Sequence, residues 1–103
     1  MNKTHHIAAP FDPRHITIHI DSSCQAVYVQ FSENEVAKTV DCSRDGEIVT
    51  VDLDDSGMAV GVEAIGLESL SINRIFRTLE PHLKGLERSQ LDDAEIAMPG
   101  VAV

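Results

Sequence analysis

Tryptophan is absent, and the aromatic side chains number only four: Phe11, Tyr28, Phe31 and Phe76. That scarcity excludes the stacking platforms on which single-strand nucleic-acid binders lay bases. Basic residues are also short, 8 Lys and Arg against 17 Asp and Glu, giving a net charge of -9 with neutral histidines. A phosphate backbone is repelled on average, so no nucleic acid is expected as a partner. Cysteine is limited to Cys24 and Cys42, too few to staple a secreted mini-domain, and no CxxC pair offers a zinc or redox site. No apolar run approaches the roughly 20 residues of a membrane helix, and the N-terminal residues lack the apolar block of a secretory signal. The expectation is a cytoplasmic chain with no membrane partner. Six glycines never fall into GxGxxG or a Walker run, and GxSxG is missing, which removes phosphate loops and the serine nucleophile elbow.

What remains is an ordinary globular balance, 43% hydrophobic and 24% charged over 103 residues, sufficient for one domain with one core. The charge is segregated. Residues 15–69 carry -9 and residues 70–91, with Arg74, Arg77, Lys84 and Arg88, carry +2.

From His15 to Ile65 the chain reads as five short strands separated by turn residues. Ile16, Ile18 and Ile20 alternate with Thr17 and His19; Val27, Val29 and Phe31 oppose Tyr28 and Gln30. Val36, Val40 and Cys42 mark a third strand, Val49, Val51 and Leu53 a fourth, and Met58, Val60 and Val62 a fifth. Ser43 to Gly46 is a turn, and Asp54 to Gly57 is a hairpin connection with Gly57 supplying positive φ. Beyond residue 67 the period lengthens. Ile72, Ile75, Phe76, Leu79, Leu83 and Leu86 share one helical face with the basic residues opposite, and Ser69 or Ser71 can cap its start. Pro81 must kink this helix or begin a second one.

The predicted architecture is therefore α+β: a five-stranded antiparallel β-meander over residues 15–67, an N-terminal arm (1–14), one C-terminal amphipathic helical segment (70–88) broken or kinked near Pro81, and a tail (89–103). One apolar stripe covers one face of a sheet. The other face, with Ala26, Tyr28, Ala37, Ile48 and Ile65, has to meet the arm, the tail or another subunit, so a homo-oligomer is expected.

Candidate chemistry is thin. Asp52, Asp54, Ser56, Gly57 and Glu63 match positions of an EF-hand loop, but both flanks alternate as strands, so the loop cannot wrap an ion. His15 and His19 lie about 13 Å apart on a strand and cannot share a metal; His5, His6 and His82 read as surface or interface histidines. The carboxylates at the hairpin tip have no cavity in which a pKa could shift for acid–base work. Cys24 has no basic neighbour to activate its thiol. No catalytic residue, cofactor or metal is expected.

The segments IHIDSSCQAVYVQF and VAKTVDCSRDGEIVTVDLDDSGMAVGVEAI resemble the small bacterial domain family of unknown function typified by YuzE. The likeness covers residues 16–69 and lies in Asp21, Ala26, Val27, Tyr28, Val51, Asp52, Leu53, Asp54, Gly57, Val60, Gly61, Val62 and Glu63. It implies a small β-meander with a C-terminal helix and no assigned activity. The chain departs at Gln25, where the family usually has an acidic residue, and at Ser22, where it has proline. Gly61 inside a strand implies a bulge or a closely packed neighbour.

Two functional readings stay open. The preferred one is a non-enzymatic interaction module that self-associates and partners a basic protein. The alternative is a small-molecule binder or minor hydrolase with a site formed between subunits. Under either reading the candidate interface or ligand-contact residues are Tyr28, His19, Asp52 and Glu63.

Overall fold

The alternating segments assemble into one mixed sheet whose apolar side is sealed by helices. The computed structural model describes residues 7–8, 16–44 and 46–97. The expectations for the arm, for His5, His6 and His15, and for the last six residues lie outside these. The strands are β1 (Ile7–Ala8), β2 (Thr17–Asp21), β3 (Ala26–Gln30), β4 (Lys38–Asp41), β5 (Ile48–Leu53) and β6 (Ala59–Ile65). Then follow α1 (Ile72–Leu79), β7 (Leu83–Lys84), α2 (Arg88–Asp92) and β8 (Glu95–Ala97).

The main sheet has the order β4-β5-β6-β3-β2-β8. The five expected strands are all present and every pairing among them is antiparallel. The meander is nevertheless a miscall. After β3 the chain does not turn back on itself: Phe31 N and Ser32 N both donate to Val60 O at 2.8 and 3.2 Å, and the chain crosses the end of β6. It rejoins the sheet where Ala37 N donates to Leu53 O at 2.8 Å on the far side of β5. Burial explains the order. Lys38, Thr39 and Asp41 of β4 are exposed, whereas Ala59, Val60, Val62 and Ala64 of β6 are buried. A polar strand belongs at an edge and an apolar one at the centre. The same logic shortens the third strand: Val36, expected inward, is 49% exposed and precedes β4.

A sixth strand also departs from the all-antiparallel expectation. β8, read from sequence as tail, pairs parallel with β2, Ile18 opposite Ile96. Separately, β1 pairs parallel with β7.

Ser71 caps α1, its hydroxyl accepting from Arg74 N, and Ile75 and Leu79 are buried one turn apart. The helix stops at Glu80, ahead of Pro81, because proline lacks the donor to continue it. One continuous helix over 70–88 is therefore replaced by two short ones with β7 between. Leu83 and Leu86 still reach the core, but from the non-helical segment, and Gly85 turns the chain there at φ 82°. The apolar spacing recorded which residues are buried, not the conformation that buries them. Ile18, Val29, Val51 and Val62 of the sheet meet Ile75, Leu79, Leu83 and Leu91 in a single buried cluster. No helix among the described residues is long and apolar enough to cross a membrane.

Candidate functional site

With the helices on one side, the opposite face of the main sheet has no cover among the described residues. Strict alternation places there Glu95 and Ala97 of β8, Thr17, His19 and Asp21 of β2, Ala26, Tyr28 and Gln30 of β3, Gly61, Glu63 and Ile65 of β6, Ile48, Thr50 and Asp52 of β5, and Thr39 and Asp41 of β4. His19 is opposite Tyr28, Tyr28 opposite Glu63, and Glu63 opposite Thr50. All four candidate contact residues thus share one face of a single chain.

Tyr28 organises the centre. Its hydroxyl donates to Asp52 Oδ2 at 3.0 Å, while Thr39 Oγ1 donates to Asp52 Oδ1 at 2.6 Å. To reach Asp52 the ring leans over Gly61, where a Cβ would fall 2.2 Å from the phenol oxygen. The closely packed neighbour implied by Gly61 is Tyr28. Burial, the bond to Asp52 and the charges of Asp52 and Glu63, in that order, push the phenol well above its ordinary value. It is a fixed hydrogen-bond donor. His19 lies on the other side, its ring 6.3 Å from that of Tyr28 and its Nε2 3.2 Å from Gln30 Oε1. Gln30 Nε2 donates in turn to Ser32 O, so the amide oxygen is turned toward the imidazole N–H. Thr39 and Gln30 were not among the sequence candidates. The strict alternation on their strands was the available signal.

Because Tyr28 leans toward Gly61, it leaves a hollow of about 180 Å³ on its opposite flank. His19, Asp21, Cys24, Ala26, Tyr28, Glu63 and Ile65 line it. Asp52 lies behind the ring and does not. Pockets for drug-sized ligands start at about 300 Å³, so this hollow suits a single side chain. Glu63 makes no hydrogen bond or ion pair with another described residue. Asp21 accepts from Ser23 N and Oγ, at 3.1 and 2.6 Å, which hold its carboxyl below the usual range and keep it ionised.

The hairpin tip differs from its expectation in one respect. The segment after β3 folds beside it, and a hollow of about 370 Å³ forms between residues 34–37 and 54–56. Asp54 is no free carboxylate there: Oδ1 accepts from Ser56 N and Met58 N at 2.8 and 3.1 Å, and Oδ2 from Asn34 Nδ2 at 3.1 Å. Those donors, Asn34 foremost, lower its pKa. The EF-hand positions are therefore spent on turn structure, Asp54 inside the tip and Asp52 beneath Tyr28. Among the described residues no group of three or more His, Cys, Asp or Glu is placed to hold a metal ion.

Two further residues fall elsewhere than expected. His82 is 4% exposed, not a surface histidine, because Pro81 turns the chain inward after α1. Arg74 is not simply solvated on the polar side of the helix; it pairs with Glu47 and lies 3.6 Å from Glu68. With Arg44 and Arg77 it lines a cleft of about 290 Å³ beside His82, so the basic groups gather away from the acidic face. Cys42 is buried, and burial followed by the charge of Asp41 raises its thiol pKa; Cys24 is exposed.

Compared with known proteins, the chain matches no family model, no curated protein and no solved structure.

Proposed function

We propose that this protein is a non-enzymatic interaction module that docks a basic protein on the uncovered face of its sheet. The observation that supports it most is the composition of that face. Asp21, Asp41, Asp52, Glu63 and Glu95 share it with no described lysine or arginine, around a half-buried tyrosine and an apolar patch of Ala26, Ile48 and Ile65. Ile48 is 54% exposed. An apolar patch inside a field of one sign favours a partner of the opposite sign, steering its approach and rejecting acidic competitors.

Self-association belongs to this reading in a restricted form. Two copies meeting through this face would set like charges against each other, which costs several kcal/mol (roughly, for close pairs). A homo-oligomer has instead to bring a basic surface, such as that of Arg44, Arg77 and Lys84, to the acidic face. We also propose membership of the YuzE-type family, on the spacing of Asp21, Tyr28, Asp52, Gly57, Gly61 and Glu63. Tyr28, Asp52 and Gly61 form one physical unit, which gives those matching positions a shared structural reason.

The experiment is a titration of isotope-labelled full chain with a synthetic amphipathic peptide rich in lysine and arginine, followed by amide shifts. The reading expects shifts at Thr39, Thr50, Glu63 and Ile65 that weaken as salt rises. Shifts confined to the helical side would overturn it. Light scattering at low and high salt tests the oligomer: a mass that falls with salt agrees, and a salt-stable dimer contradicts.

A further inference from the structure

The hollow beside Tyr28 has the chemistry of a receptor for one cationic side chain. Its floor is the methyl of Ala26, the smallest side chain on that part of the face, with Ile65 beside it. Its wall is the Tyr28 ring, immobilised by Asp52 on one side and unable to settle deeper because it already rests against Gly61. Its rim carries Glu63 and Asp21. Asp21 is fixed by its turn, whereas Glu63 lacks a described partner and is exposed to solvent.

We infer that this hollow receives an arginine side chain of the basic partner, methylenes over Ala26 and Ile65, guanidinium against the Tyr28 ring and paired with Glu63. The inference rests on the docking reading above. Arginine fits better than lysine for three physical reasons. A guanidinium is planar and stacks on an aromatic wall, it pairs with a carboxylate through two parallel N–H donors, and it sheds water more readily than an ammonium. The volume of the hollow admits one such side chain and little more. His19 on the wall opposes entry when protonated, so occupancy by a cation is greatest where the imidazole is neutral.

The test uses an alternating arginine–alanine peptide and its lysine twin against the labelled full chain and two variants, Ala26→Leu, which fills the floor, and Glu63→Gln, which removes the rim charge. The expected result is tighter binding of the arginine peptide by about threefold to tenfold, with the largest shifts at Ala26, Glu63 and Ile65. Ala26→Leu should abolish that preference, and Glu63→Gln should weaken arginine binding by at least about threefold while leaving the amide spectrum of the free protein folded. Equal affinity for the two peptides, or an unchanged preference in both variants, would overturn the arginine site while peptide shifts on the rest of the face would leave the docking surface standing. Absence of any shift on the face would overturn both. Because Glu63 is a surface residue, its variant answers even if Ala26→Leu disturbs the fold.

Discussion

Tyr28 and Gly61 occupy neighbouring central strands, and the phenol oxygen of one stands where the other would carry its Cβ, 2.2 Å from that point. The contact bends the ring toward Asp52, opens the hollow on the other flank and depends on a missing methyl group.

Gly61→Ala therefore has to expel Tyr28. The expected cost is about 1–3 kcal/mol from crowding, together with loss of the bond to Asp52. The same substitution in a Tyr28→Ala background should cost well under half as much. Urea unfolding of the four proteins in this cycle measures the coupling, and additive costs would show that the two residues do not interact.

The chain has a single tyrosine, so its ionisation can be followed by ultraviolet absorbance without interference. In the native protein Tyr28 should resist ionisation at the pH of an ordinary phenol, about 10. Asp52→Asn should bring the transition down. Since the folded value is raised, the unfolded state loses its proton first. The contribution of Tyr28 to stability is complete below about pH 10 and declines as pH rises above it.

Asp21, Asp41 and Asp54 each accept a hydrogen bond from the backbone N–H of the serine two residues on, Ser23, Ser43 and Ser56. All three carboxyls are held below 3.8 in the folded chain. Their stabilising effect is present above that value and disappears as pH falls through the lowered folded values. Urea midpoints should drop between about pH 5 and about pH 2. In Asp54→Asn the drop should be shallower from a lower starting point, because the amide cannot accept from Asn34 Nδ2 as the carboxylate does.

Ser71, not Ser69, caps α1. Ser71→Ala should lower stability by about 1 kcal/mol, and Ser69→Ala, whose hydroxyl only neighbours that of Ser71 at 3.4 Å, by a few tenths at most (roughly). Equal effects in chemical denaturation would show that the capping bond contributes nothing.

Much of the local structure was legible because alternation is a backbone property. The five antiparallel segments, the positive φ at Gly57 and the buried identities of Leu83 and Leu86 follow from period and side-chain type. The three Asp-x-Ser turns were also readable, since that spacing lets the carboxylate meet the serine N–H, although the sequence reading did not use them. The four candidate contact residues were correctly assigned to strands. Their convergence was not legible, because β3 could have paired with β4 on sequence proximity.

By itself, then, the sequence determined which residues face which side, where strands turn, and that charge is divided between an acidic β-region and a basic segment. Tertiary structure decided the strand order, putting apolar β6 beside β3 and polar β4 at the edge, and only that order brought Gly61 beneath Tyr28 and Glu63 beside it. The reason is physical: alternation is written in neighbouring residues, whereas strand order is settled by which distant strands bury the most apolar surface together.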